Sequence, residues 1–135
     1  MNTIIFLKIA QILFSLKRHK EAISCLEEAL TICQRDLNQN GGVLYPDLAQ
    51  MLSLLHGQLG MIYSHLDENE KAYNYINQAI TFDETNGLNW INLASLEMKL
   101  GRGESCMQIC EKILTFDSTN ERAIELKGDL HHRCG

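Results

Sequence analysis

Cys106 and Cys110 stand one helical turn apart, and with His131, His132 or Cys134 they offer the sulfur and imidazole donors that zinc prefers. The rival reading is burial, because a cysteine on an apolar helix face acts as a small hydrophobe. The run His131-His132-Arg133-Cys134 reads in the same way as a frayed helix end before it reads as a site. Other catalytic chemistry is missing. Gly101-Arg102-Gly103 lacks the third glycine and the preceding strand of a dinucleotide loop. There is no phosphate-binding glycine loop, no Gly-x-Ser-x-Gly elbow and no His-Glu-x-x-His. His65 has no positioned carboxylate that would make it an acid or base. The expectation is a non-enzymatic chain with no catalytic residue, metal or cofactor.

What, then, would position these side chains? A length of 135 residues allows one helical domain and leaves no room for a separate catalytic domain. The net charge of −5 argues against a phosphate-backbone ligand, since nucleic-acid affinity rests on clustered Lys and Arg. The longest basic run, Lys17-Arg18-His19-Lys20, suits a turn at a helix C-terminus. Five cysteines, at 25, 33, 106, 110 and 134, are an odd count without disulfide-framework spacing. A reducing, cytoplasmic compartment is expected from them. The apolar stretch Ile4 to Leu16 does not read as a leader, because Lys8 interrupts it and its charges follow rather than precede it. It is also too short to span a bilayer, so no membrane insertion is expected.

The organising signal is an echo. Asp83-Glu84-Thr85-Asn86 returns 34 residues later as Asp117-Ser118-Thr119-Asn120. Gly60, Ala94 and Gly128 keep the same interval, at places where two helices must touch. Ala72 and Ala79 lie twelve and nineteen residues after Gly60, and Cys106 and Ile113 do so after Ala94. Ala10, Ala22 and Ala29 repeat the pattern 50 residues earlier, which is one period plus 16 residues. Turn signals and periodicity together predict helices at about 3–16, 19–36, 46–66, 69–82, 87–100, 103–116 and 121–133. Asn120 is a good N-cap, and Pro46 suits the first turn of the third helix. The stripe Leu48, Leu52, Leu55, Leu59, Ile62 and Leu66 is a packing seam, read either as core or as a coiled-coil dimer surface.

A 34-residue helix-turn-helix period is that of the tetratricopeptide repeat (TPR), and the chain resembles that family over about residues 3–133. The residues that carry it are His56, Leu59, Gly60 and Tyr63 in one repeat and Trp90, Leu93 and Ala94 in the next. Glu97 replaces the expected aromatic, and Glu84 and Ser118 replace the closing proline. The resemblance implies an all-α TPR helical solenoid: a single domain, 1–135, of three repeats (about 3–36, 53–86 and 87–120) and a capping helix at about 121–133. The insertion at about 37–52 resembles the long first junction of immunophilin-type co-chaperones.

By that resemblance the first helices of the repeats line a concave groove, and the partner-binding residues are Gln11, Phe14, Gln58, Met61, His65, Asn92, Ser95, Met98 and Lys99. Their amides can both donate to and accept from the main chain of an extended peptide, and the methionines adapt to apolar side chains. The plainer alternative leaves them as solvated positions on a scaffold that is bound elsewhere. Co-chaperone relatives grip a terminal carboxylate with Lys, Asn and Arg, where this chain has Leu7, Gln11, Gln58, Leu88 and Asn92. No cation of that clamp is present, so acidic chaperone tails are not expected to bind.

The expected function is therefore a protein–protein interaction module that holds an extended peptide or a helix of a partner. Two other readings stand beside it: a small chaperone of the type III secretion kind, and a structural subunit of a larger assembly. The first helix is apolar almost all round, which implies self-association or a partner surface, or else a preceding repeat that would cover it.

Overall fold

A computed structural model describes residues 3–134. Seven helices run through them: α1 (Ile4–Ser15), α2 (His19–Gln39), α3 (Pro46–His65), α4 (Asn69–Phe82), α5 (Gly87–Lys99), α6 (Gly103–Phe116) and α7 (Glu121–Cys134). No strand occurs among the described residues. Helices α1 and α2, α3 and α4, and α5 and α6 pair as helix-turn-helix units, and α7 packs on α6. The chain divides into two compact units, Met1–Asp83 with α1 to α4 and Glu84–Gly135 with α5 to α7.

The Asp-x-Thr-Asn echo has a local cause. Asp83 and Asp117 close α4 and α6 in extended or near-extended conformations that end the helical run. Asn86 and Asn120 then cap the next helices, Asn86 Oδ1 accepting from Leu88 N at 3.1 Å and Asn120 Oδ1 from Ala123 N at 3.0 Å. Asn120 Nδ2 also donates back to Asp117 Oδ2 at 3.1 Å.

The other turns use a different device. Lys17, Gly41, Asp67 and Gly101 all take left-handed φ, between 61° and 79°. Each starts a paired closure: Arg18 N reaches Leu13 O at 2.8 Å, Gly42 N reaches Leu37 O at 2.9 Å, Glu68 N reaches Tyr63 O at 3.0 Å, and Arg102 N reaches Glu97 O at 2.8 Å. These six-to-one bonds satisfy carbonyls that the helix end leaves open. A left-handed residue with a side chain costs about 1–2 kcal/mol, whereas glycine adopts that conformation freely. Lys17→Gly is therefore expected to raise stability by about 0.5–1 kcal/mol and Gly101→Ala to lower it by about 1 kcal/mol, in urea titrations followed by circular dichroism.

In the first unit the core joins Ala10, Ala22, Leu26, Ala29 and Cys33 of α1 and α2 to Leu52, Leu55, Leu59 and Ile62 of α3. The α3 stripe is thus core from Leu52 to Ile62, and the coiled-coil reading fails because those side chains are already covered. Gly60 faces α4, where an added Cβ would stand 2.5 Å from Ile76 Cγ1. Ser53 Oγ donates to Ala79 O at 2.7 Å and ties the same two helices.

The second unit packs Ile91, Ala94, Cys106, Cys110, Ile113, Ala123, Leu126 and Leu130 together. Gly128 departs from the expectation of a crossing point. It is exposed with nothing within 4 Å of an added Cβ, because no described helix crosses α7 there.

Candidate functional site

The nine candidate residues divide between the two units. On α1, Gln11 and Phe14 are one turn apart, and on α3 Gln58, Met61 and His65 follow spacings of three and four. Each set therefore shares one face of its helix. The Phe14 ring meets His65 edge-on at 5.0 Å and His19 at 5.2 Å, which brings the α1 and α3 sets together. Gln11 and His65 are exposed, while Gln58 and Met61 are half-buried.

In the second unit Asn92, Ser95 and Lys99 repeat the spacing on α5, the first two half-buried and the last exposed. Met98 lies one position off that line and packs against the core of its unit, as Phe14 does in the first unit. Those two side chains are partly structural. At the clamp positions, Leu7 belongs to the core at 9% exposure, so a cation there would have to replace a packed aliphatic. Leu88 is exposed on α5, and Gln11, Gln58 and Asn92 are uncharged amides.

Between α2 and α4 lies a cleft that residue spacing did not disclose. One recess of ≈ 410 Å³ is lined by Glu27, Tyr63, Lys71, Asn74, Tyr75 and Gln78. Tyr63 and Tyr75 stack within 5° of parallel at 5.5 Å, and the Lys71 ammonium sits 5.4 Å from the Tyr63 ring centre. Such an arrangement combines aromatic and cation–π contacts. The Lys71–Tyr75 spacing of one turn was visible in the sequence, but the opposing Tyr63 arrives from another helix. Gln78 also lines a second recess of ≈ 350 Å³, with Leu30, Leu37, Leu52, His56 and Phe82 among its walls.

His56 is buried at the base of that second recess, against the rings of Phe82 at 5.2 Å and Tyr75 at 5.9 Å. Its Nδ1 donates to the Leu52 carbonyl at 2.7 Å. Burial pushes the imidazole below its ordinary 6.5, and the carbonyl only partly opposes that. The unfolded chain therefore binds this proton more readily than the folded one. The stabilising effect is complete above pH 6.5 and declines as pH falls through the folded value. His56→Phe keeps the ring contacts and removes the titration. It is expected to flatten the fall in melting temperature below pH 6.5, measured by circular dichroism on both proteins.

Cys33, Cys106 and Cys110 are buried and Cys25 is half-buried. Burial pushes the Cys106 thiol up to about 12 and raises Cys110 as well. A metal ligand must be a thiolate, which these surroundings oppose. His131 and His132 are exposed on α7, and the side chains of Arg133 and Cys134 lie outside the described residues. Among the described residues, no three or more His, Cys, Asp or Glu side chains converge as a metal would need. No described helix is long and apolar enough to cross a membrane.

Repeat register, small-residue crossings and helix pairing define a class, the tetratricopeptide repeat. The family model described by that name matches residues 5–36 and 55–86. Residues 5–36 and 55–86 are tetratricopeptide repeats, and the chain has the all-α fold of TPR solenoids. Among curated proteins it is similar to the BBSome complex member BBS4 of Bos taurus, 28% identical over 145 residues that cover 95% of this chain. The match spans 28% of that relative's length.

Among solved structures it is similar to the first TPR of Spaghetti (RPAP3), which was determined bound to the HSP90 peptide SRMEEVD. The TM-score is 0.78 at 14% identity, over 98% of this chain and 94% of that one. It is also similar to the Arabidopsis OM64 TPR domain, with a TM-score of 0.74 at 14% identity over 97% and 95% of the two chains. At these identities the likeness concerns the fold alone.

Proposed function

We propose that the chain is a non-enzymatic interaction module that holds an extended peptide or a helix of a partner on the first helices of its repeats. The observation that carries this reading is the matched register of half-buried polar and methionine side chains: Gln58 and Met61 on α3 return as Asn92 and Ser95 on α5. Amides at that depth retain donors and acceptors for a peptide main chain. The peptide-bound TPR of Spaghetti supports the mode, though not the same ligand. Its HSP90 peptide ends in acidic residues and a free carboxylate, whose desolvation needs charged donors.

Here Leu7 is core, Leu88 is apolar, and the other clamp positions are amides. Calorimetric titration with SRMEEVD is expected to show no binding tighter than about 1 mM. Micromolar binding that disappears in Asn92→Ala would overturn the reading.

A structural-subunit reading has its own support. The BBS4 relative is named as a complex member, and α1 exposes Ile5, Ile9, Ile12 and Leu16.

A further inference from the structure

Helices α1 and α3 open successive repeats 50 residues apart, so Ile5, Ile9 and Ile12 occupy the positions of Leu55, Leu59 and Ile62. Their surroundings are opposite. The α1 side chains are 55%, 42% and 60% exposed, whereas each α3 counterpart is at 0%. Burial on α3 is achieved in a core that includes Ala22, Leu26, Ala29 and Cys33 of α2, and α2 packs on α3. Leu16 continues the α1 stripe at 61% exposure. Large aliphatics contiguous along one helix face mark an interaction surface, unlike the scattered apolar residues of an ordinary surface. The first unit thus shows the same helix face once covered and once open, and it shows what covers it.

We infer that the outer face of α1 docks an amphipathic α-helix of a partner protein, lying on α1 as α2 lies on α3. The partner helix is specified by the chemistry of α2: an apolar stripe at spacings of three and four, such as Leu26, Ala29 and Cys33 bring to the shared core. Lys8, exposed and one turn from Ile12, favours an acidic residue on the partner's rim.

A second copy of this chain fits poorly. Its small-residue faces are spent inside its own units, with Ala22, Ala29, Ala72, Ala79 and Cys106 all at 0% exposure. Two α1 helices meeting face to face would oppose isoleucine with isoleucine and bring two Lys8 ammonium groups together, which costs energy. This inference stands apart from the groove, because none of the groove residues lies on the Ile5–Ile9–Ile12 line.

The test uses a labelled peptide of residues 18–39, the sequence of the helix that covers the equivalent face, added to the full chain. Fluorescence anisotropy is expected to show saturable binding, weakened about tenfold or more by Ile9→Gln with Ile12→Gln and unchanged by Met61→Glu. Isoleucine methyl spectra should shift at Ile5, Ile9 and Ile12 and stay fixed at Ile62. Thermal melts check that the variants fold, and Ile12→Gln alone, at the most exposed of the three isoleucines, serves if the double variant does not. Three results would overturn the inference: no saturable binding, binding indifferent to the α1 substitutions, or a chain that sediments alone as a dimer dissociated by Ile12→Gln.

Discussion

Gly60→Val is expected to destabilise the first unit by about 3 kcal/mol or more, and Gly60→Ala by about 1–2 kcal/mol, despite the gain in helix propensity. The cause is contact. A Cβ at Gly60 would stand 2.5 Å from Ile76 Cγ1 and 3.2 Å from both Ala72 O and Ile76 N. Ile76 is fully buried, and its Cγ1 is not the far end of a flexible chain, so relief requires α3 and α4 to move apart. That separation would also strain the Ser53 bond to Ala79 O.

Gly128→Ala is the internal control. With nothing within 4 Å of its Cβ, it should gain about 0.5–1 kcal/mol from propensity alone. Urea denaturation of the two alanine variants checks the opposite signs. A Gly60→Ala, Ile76→Ala double variant should be less unstable than the two single losses added together, since removing Cγ1 removes the clash.

Arg102→Met is expected to cost about 2–4 kcal/mol, because it strands a carboxylate that the fold has already desolvated. Glu97 is 1% exposed, and Arg102 Nη1 approaches its Oε1 at 3.4 Å from a largely exposed position. Arg102 also supplies the N–H that closes the α5 turn, through the bond to Glu97 O at 2.8 Å, and methionine keeps that bond. The substitution therefore removes the side-chain contacts of Arg102, the one to Glu97 among them, and leaves the turn intact. Glu97→Leu should be nearly neutral or stabilising by about 1 kcal/mol, and it should abolish the effect of Arg102→Met in the double variant. Equal losses in both single variants, measured by chemical denaturation, would contradict this.

Helix positions were legible because the punctuation is explicit: Pro46 opens α3, Asn86 and Asn120 cap α5 and α7, and Gly101 closes α5. α2 runs to Gln39, three residues beyond the predicted end, since nothing before Gly41 and Gly42 stops it. Side-chain direction was less legible. Register told which residues share a helix face, but not that Phe14 would turn onto His65 or that Met98 would pack inward. Those outcomes are set by neighbouring helices. Glu97 read as a lost aromatic, whereas it is a buried acid with an arginine partner five residues on. The Tyr63–Tyr75 stack joins side chains from antiparallel helices, a relation that no single-helix period contains.

Recognition is expected to run through the amide and methionine side chains of the first helices. The direct measurement is calorimetry of the folded chain and of Met61→Glu with an extended peptide selected on the chain from a random library. Selection should yield a peptide that binds in the micromolar range and loses about tenfold or more of its affinity to Met61→Glu, with the melting temperature unchanged. Equal affinity for both proteins would contradict recognition on the first helices, by placing it on another surface.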